Sequence, residues 1–580
     1  MSRSLGFAPV TVAVIAFVFA LDTSSAPQKS HSDQHLRNPR ISARIDPADL
    51  VTLRGNTRPE ANSKNDRGPI SGSTYIEHIL LLLRRSPEQE QALQEFTSAL
   101  TDHASPNFHQ WLNPAEFGDQ YGVAQQDLDE ITGWLESNGF TVNVVYGSGM
   151  MIDFSGYASS VRDVFHAELH RLDVHGQAHI ANIRDPKIPA ALAPVIQGIV
   201  SLNDFMPRAM YLPRAEFTFT NTQGTWHAIV PADLATIYSL NPLFAQGLSG
   251  QGQTIVVIED TNISNSGADW TTFRSQFDLN AFGSGSFSQV HPAPPTGHSN
   301  CNSPGVNSDE GEASLDAEYA SAAAPSAAIE LASCKNTVFT FGGLIALQNI
   351  VNSSTTPPAI ISISYGECEA INGATNNAAY NAAYQQAAAE GVSVFVSSGD
   401  EGAASCDAGA TAATHGIGVS AFASTPNNVA VGGTDFSDLY SGTISAYWKT
   451  SNSSNFGSAK SYIPEIPWND SCAGVLLATL ATGSGIPYGS PTLCNPSSGS
   501  GQDLTVVSGS GGPSGCASGL ALTPGVVSGT CAGYAKPSWQ SGLFGNPSDG
   551  VRDIPDVSLF AANGIWSHYY VFCWSNPEFT

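Results

Sequence analysis

The stretch Thr254-Ile-Val-Val-Ile258 is a β-branched run that follows a glycine-rich turn, which is the pattern of a buried strand. Three more short apolar runs and three helical stretches alternate after it, at Ala328–Ala332, Ala359–Ser364, Val392–Ser397, 312–323, 341–350 and 373–389. Apolar strands that alternate with helices predict a parallel sheet with helices on both faces. The second part of the chain is therefore expected to be an α/β domain.

The first part of the chain has a different pattern. An apolar strand candidate is followed by helices and by a strand pair, at Ile76–Leu83, Pro87–Ala99, Ala124–Asn138, Phe140–Tyr146, Met150–Phe154 and Ser159–Phe165. This order predicts a compact α+β domain that ends near Pro207. A stretch with Pro213 and Gly224 then breaks any periodicity.

The N-terminus has the pattern of a secretory signal. Arg3 precedes an apolar run from Phe7 to Leu21, and the small residues Ser24 and Ala26 follow. The run is shorter than the roughly 20 residues that a membrane span needs. We expect a secreted protein without a membrane partner once the signal is removed. The predicted parts are a signal peptide (1–26), a flexible leader (27–70), an α+β domain (71–207), a linker (208–226) and an α/β domain (227–580).

Charge excludes some functions. The 580 residues hold 23 Lys and Arg against 50 Asp and Glu, a net charge of -27. Nucleic acids and anionic membranes need a basic face, so neither is an expected partner. Residues 223–580 hold only 6 of the basic residues and 26 of the acidic ones.

The nine cysteines all lie between Cys301 and Cys573. Pairing neighbours along the chain would give Cys301–Cys334, Cys368–Cys406, Cys472–Cys494 and Cys516–Cys531, although a sequence alone does not fix connectivity. Cys573 is left over. Either its partner lies in a C-terminal segment outside this sequence, or it is a buried free thiol.

Two carboxylates stand out in an alanine-rich helix that Ser308 is expected to cap. Glu312 and Asp316 are four residues apart and share one face. If that face is buried, their pKa values separate, and one can act as general base while the other holds a proton. The alternative is a solvated acidic face. Asp400 follows the strand Val392–Ser397, where ligands bind in open parallel sheets, although it could be an ordinary turn residue.

Several segments, in order, resemble the sedolisin family of serine-carboxyl peptidases. The segment 105–117 is similar to the family's propeptide. Seven later segments are similar to its peptidase domain: 231–238, 252–260, Glu312-Ala-Ser-Leu-Asp316, Ser362-Ile-Ser-Tyr-Gly366, Ser398-Gly-Asp400, Gly509-Ser-Gly-Gly512 and Pro555-Asp-Val-Ser558. The resemblance implies a subtilisin-like catalytic domain behind a cleavable propeptide that acts as an intramolecular inhibitor.

The resemblance also implies roles for single residues. Glu312 would be the general base, Asp316 would orient it, and Asp400 would stabilise the oxyanion as a neutral acid. Ser364, Tyr365 and Gly366 would line the substrate groove. Glutamate still titrates at acid pH, where a histidine base would be protonated.

The chain departs from the family at the nucleophile. The family's serine lies in a Gly-Thr-Ser motif after the Pro-Asp-Val segment, and no such motif occurs before Thr580. Asp435, Cys531 and Ser445 stand in partly similar segments, but in the wrong order, spacing or residue type. The family's calcium site follows the serine, so calcium is expected for the family but its ligands are not expected in this chain.

The sequence thus predicts the zymogen of a secreted, acid-active, serine-type endopeptidase of polypeptides, with the serine motif missing and this chain inactive as written. The alternative is a catalytically inactive homologue that binds peptides. A glycoside hydrolase that uses Glu312 and Asp316 is less favoured, since two residues on adjacent turns of one helix do not easily flank a sugar bond.

Overall fold

A computed structural model describes residues 37–200, 202–210, 220–221, 224–225, 227–353, 357–410, 412–471, 473–474, 506–563 and 567–576. The predicted signal peptide lies outside these residues. None of the helices in the described ranges is long and apolar enough to cross a membrane.

The N-terminal body contains nine strands and four helices in the ranges described. The strands are β1 (Leu50–Thr52), β2 (Asp66–Pro69), β3 (Tyr75–Leu83), β4 (Thr141–Val145), β5 (Met151–Tyr157), β6 (Leu169–Val174), β7 (Gln177–Asn182), β8 (Lys187–Pro189) and β9 (Ile196–Val200). The helices are α1 (Pro87–Thr101), α2 (Pro114–Tyr121), α3 (Gln125–Ser137) and α4 (Ala158–Phe165). Strands β4, β5, β3 and β9 form an antiparallel sheet in that order.

Local sequence explains where the helices of this body begin. Ser86 accepts a hydrogen bond from the Gln89 backbone, and the Gln89 side chain bonds back to Ser86, which is a capping box with Pro87 in the first turn. Leu128, Ile131 and Leu135 of α3 turn inward, as predicted, and pack in the core below the sheet. The α+β architecture predicted for this region is confirmed.

The second body is built on a larger sheet. Its strands are β10 (Arg208–Ala209), β11 (Thr220–Asn221), β12 (Gly224–Thr225), β13 (His227–Ile229), β14 (Thr254–Glu259), β15 (Ser286–Val290), β16 (Ala328–Ser333), β17 (Ile360–Ile363), β18 (Tyr365–Gly366), β19 (Ser393–Ser397), β20 (Val429–Phe436), β21 (Glu465–Pro467), β22 (Gly512–Pro513), β23 (Asp553–Ile554), β24 (Val557–Phe560) and β25 (His568–Tyr570). Its helices are α5 (Pro231–Ile237), α6 (Asn241–Ala245), α7 (Ala268–Gln276), α8 (Glu310–Ala323), α9 (Gly342–Val351), α10 (Glu369–Asn372), α11 (Ala374–Ala389) and α12 (Ile444–Tyr447).

The main sheet has the order β15-β16-β14-β17-β19-β20-β21, with β24 also beside β20. All its pairings are parallel except that of β20 with β21. Alternate residues of β14 point to opposite faces. Ile255 and Val257 pack with Ala313 and Ala317 of α8, and Val256 packs in the core that contains α9 and α11. The predicted α/β fold, with helices on both faces of a parallel sheet, is confirmed.

One local prediction is wrong. Ser308 does not cap the helix, because α8 begins at Glu310 with Asp309 in the cap position and no capping side-chain hydrogen bond. The Ser308 hydroxyl instead donates to the Asp309 carboxylate at 3.3 Å. Glu310 is therefore the first residue of α8, two positions before Glu312.

The cysteine pairs agree with the neighbour pattern wherever they are described. Disulfides join Cys301 to Cys334, Cys368 to Cys406, and Cys516 to Cys531. The expected pair of Cys472 and Cys494 lies outside the described residues. Cys573 is a half-buried free thiol, and burial raises its pKa to about 12.

The antiparallel sheet of the N-terminal body packs on α9 and α11 of the second body. Leu80, Leu82 and Tyr146 belong to the same apolar core as Leu344 and Tyr380. Polar contacts add specificity to this interface: the Tyr146 hydroxyl donates to Asn349 at 3.0 Å, and the Ser148 backbone donates to Asn352 at 2.9 Å. The chain then leaves this interface and enters the second body as β10.

Candidate active site

Glu312 and Asp316 lie on α8, beside the carboxyl ends of the central strands. The helix can approach the sheet closely because Ala313 and Ala317 occupy the face that packs on it. Glu312 is only 3% exposed, and its Oε2 atom has no hydrogen-bond partner in the described ranges. The alternative of a solvated acidic face is therefore excluded for Glu312.

The two carboxyls act on one another. Burial, followed by the neighbouring charge of Asp316, raises the pKa of Glu312 well above its ordinary value. Burial also raises the pKa of Asp316 to about 6, although hydrogen bonds with Ser364 and Glu312 oppose that rise. The Ser364 hydroxyl donates to Asp316 Oδ2 at 2.8 Å. A buried pair of this kind holds one proton between its members over a wide range of pH.

Asp400 stands in the turn that follows β19. Gly399 has a φ of 111°, a conformation that favours glycine, and it lets the chain turn sharply before Asp400. The segment Gly509–Gly512 packs against this turn, and the Ser510 backbone donates to the Gly399 carbonyl at 2.9 Å. Burial, and then the charge of Glu401, raises the pKa of Asp400 to about 7. Asp400 also contributes to the raised pKa of Glu312, so the three predicted catalytic residues share one electrostatic site.

A fourth carboxyl was not singled out from the sequence. Glu259 ends β14, is fully buried, and accepts a hydrogen bond from the Tyr365 hydroxyl at 2.9 Å. Burial and the charge of Asp316 raise its pKa well above the ordinary value. The sequence does carry a signal for this residue, because Glu259 and Asp260 directly follow the apolar run of β14, at the edge where parallel sheets bind ligands.

Ser364, Tyr365 and Gly366, which the resemblance predicts to line the substrate groove, lie beside β10. Tyr365 and Gly366 pair antiparallel with Ala209 and Arg208, so that β10 lies along β18. The Met210 backbone adds a hydrogen bond to the Ser364 carbonyl at 2.9 Å. Main-chain pairing of this kind is how an extended peptide binds to an exposed strand.

The described residues offer no group of three or more His, Cys, Asp or Glu side chains that could hold a metal ion. These residues therefore do not fit a calcium site, and the calcium expected for the family stays a prediction.

Comparison with known proteins identifies part of the chain directly. Residues 62–205 match the family described as pro-kumamolisin, activation domain. Kumamolisin from Bacillus sp. (strain MN-32) is 29% identical over 356 residues, covering 60% of this chain and 61% of kumamolisin. Sedolisin from Pseudomonas sp. (strain 101) is 25% identical over 502 residues, covering 85% of this chain and 71% of sedolisin.

A solved structure of Pseudomonas sedolisin, a serine-carboxyl proteinase complexed with two molecules of pseudo-iodotyrostatin, has 23% identity and a TM-score of 0.39. It covers 58% of this chain and 72% of that one. The chain thus spans less than two thirds of kumamolisin and somewhat more of sedolisin. Residues 62–205 thus match a pro-kumamolisin activation domain, and the chain is similar to kumamolisin and sedolisin over more than half of its length.

Proposed function

We propose that this chain is the zymogen of a secreted, acid-active, serine-type endopeptidase. The observation that carries the proposal is the buried Glu312–Asp316 pair, which shares a site with Asp400 beside a peptide-binding edge. Polypeptides are the expected substrate, because β18 offers main-chain groups to an extended chain.

Each carboxyl has a role in this proposal. Ionised Glu312 takes the proton of the attacking serine hydroxyl and later gives it to the leaving amine. Asp316 orients Glu312 and shares its proton, while Ser364 holds Asp316 in place at 2.8 Å. Protonated Asp400 donates a hydrogen bond to the oxyanion, as its raised pKa permits in acid.

The serine itself is not identified among the 580 residues, since none of them forms a Gly-Thr-Ser motif. The second candidate function, a non-catalytic peptide binder, is favoured by the same groove and needs no nucleophile. Reading the gene beyond the codon of Thr580 separates the two candidates. The peptidase proposal expects a Gly-Thr-Ser motif and a tenth cysteine there, whereas a stop codon would leave only the peptide binder.

We infer that the N-terminal body inhibits the site in the same chain. Two features support this: its sheet covers α9 and α11, and its continuation β10 occupies the edge strand of the groove. A substrate could not pair with Tyr365 and Gly366 while β10 does so. Removal of this body would therefore have to precede turnover.

Acid is expected to loosen the inhibitory interface. The fully buried Asp153 of β5 accepts hydrogen bonds from Asn300 of the second body at 2.9 Å and from His78 at 3.0 Å. A carboxyl that loses its charge accepts such a hydrogen bond less strongly, so docking across contacts of this kind is expected to weaken as the pH falls.

Hydrogen exchange measures this directly in α9, which the N-terminal body covers. After correction for the intrinsic rate, we expect residues 342–351 to exchange at least about tenfold faster at pH 4 than at pH 7, since each 1.4 kcal/mol of lost protection is tenfold. Asp153→Asn should raise exchange at pH 7, and Asp163→Asn, an exposed change in α4, should not. Faster exchange at neutral pH would refute acid release.

A further inference from the structure

The groove beside Asp400 opens into a cavity of about 1020 Å³ between the two bodies. On the side of the second body, its wall carries the carboxyls of Glu367, Asp400 and Glu401. Apart from Arg208, the described residues of that body which line the cavity include no lysine or arginine. Once the N-terminal body has left, this wall presents negative charge to whatever enters the groove.

Both glutamates are held in place. The Glu367 carboxylate accepts the backbone N–H of Cys368 at 3.0 Å, and Cys368 is fixed by its disulfide to Cys406. The Glu401 carboxylate accepts the backbone N–H of Asp400 at 3.0 Å. Both glutamates are half-buried, so water screens them only partly. A cation that reaches them is therefore attracted more strongly than it would be in bulk solvent.

Arg208 of the linker supplies such a cation. Its backbone pairs with Gly366, and its guanidinium donates to the Ala408 carbonyl at 3.2 Å, on the wall of the cavity. Its charge opposes the rise in the pKa of Glu367 and of Glu401. Arg58 also faces Glu367, but it already forms an ion pair with Glu60 inside the N-terminal body at 3.1 Å.

We propose that Glu367 and Glu401 form a subsite that selects an arginine or lysine side chain of a bound peptide, at the strand position that Arg208 occupies. The inference rests on the proposed function only in that peptides enter this groove. Pairing with β18 sets the direction and register of the peptide, and the two carboxylates then bind the basic side chain at one position of that peptide.

Peptide binding to the full chain tests the subsite without requiring turnover. The protein carries Arg208→Glu, so that its own linker is repelled from the two glutamates. The probe is a fluorescent, end-blocked hexapeptide with the sequence of residues 205–210, Phe-Met-Pro-Arg-Ala-Met, compared with the same peptide carrying Ala or Glu in place of Arg. At pH 7 we expect the Arg peptide to bind at least about tenfold more tightly, or about 1.4 kcal/mol.

Neutralising the subsite is the matched comparison. With Glu367→Gln and Glu401→Gln added, the preference for Arg should fall below about threefold, or 0.65 kcal/mol. Glu330→Gln, a glutamate of β16 outside the cavity wall, should leave the preference unchanged. Equal binding of the Arg and Ala peptides, or a preference that survives both glutamine substitutions, would overturn the proposal.

If no peptide binds, hydrogen exchange in the linker tests the same subsite. In the otherwise native chain at pH 7, Arg208→Ala and the Glu367→Gln/Glu401→Gln pair should each speed hydrogen exchange at residues 206–210 by at least about tenfold. Unchanged exchange would overturn the subsite. Because neither measurement uses turnover, an inactive protein leaves this result intact, and an active protein without the preference for Arg loses the subsite alone.

Discussion

Replacing Glu312 by glutamine is expected to lower kcat/KM for peptide hydrolysis by about 10³-fold in the processed protein translated from the complete reading frame. Glutamine keeps the volume of the side chain but cannot accept the serine proton. Glu312 is buried beside Asp316, so water or another base has little access to replace it. The loss should fall on kcat rather than KM, because Glu312 does not lie on the strand that pairs with the peptide.

Two comparisons make the result specific. Asp316→Asn should also lower kcat, since it leaves Glu312 without the partner that shares its proton. Asp278→Asn should change nothing, because Asp278 is exposed and has a φ of 62°, which asparagine adopts readily. If Glu312→Gln retained activity within tenfold of the native protein at acid pH, Glu312 would not be the base.

The second large effect is expected at Asp400, where the substituted side chain decides the outcome. Asp400→Ala removes the oxyanion donor and should lower kcat by about 10²- to 10³-fold. Asp400→Asn keeps a neutral N–H donor and should retain activity within about tenfold of the native level. Kinetics of the two variants on one peptide substrate at pH 4 measure this difference.

The pH dependence of the asparagine variant gives a further check. Native activity requires protonated Asp400, whose pKa lies at about 7 in the zymogen. Opening of the groove exposes the carboxyl to more water, which weakens the cause of that rise and moves the alkaline limit to lower pH. Asparagine cannot ionise, so Asp400→Asn should extend activity upward in pH. Equal activity of the Ala and native proteins would remove Asp400 from the oxyanion role.

Local sequence patterns were sufficient for most of the fold. The β-branched run at Thr254–Ile258 became β14, and the small residues around Glu312 and Asp316 became the face of α8 that packs on the sheet. Burial of Glu312 followed from those small neighbours. The cap of α8 was mispredicted because Ser308 and Asp309 are both good capping residues, and the pattern did not distinguish them.

Contacts between distant parts of the chain could not be predicted from the sequence. The pairing of Arg208 with Gly366 joins residues far apart in the chain, and neither segment carries a local signal for the other. The hydrogen bond from Asn300 to Asp153 is of the same kind. Glu259 differs, because its position after an apolar strand was visible, but only the assembled sheet brings it near Asp316.

The pH profile of peptide hydrolysis by the processed native protein tests the carboxylate mechanism most directly. A shared-proton pair must lose one proton to supply the base, whereas Asp400 must keep its own, so the rate should rise and then fall, with its maximum on the acid side of pH 7. Substrate at concentrations well below KM, from pH 3 to pH 8, gives kcat/KM for this comparison. A rate that climbs to a plateau at neutral pH, as with a histidine base, would contradict the account.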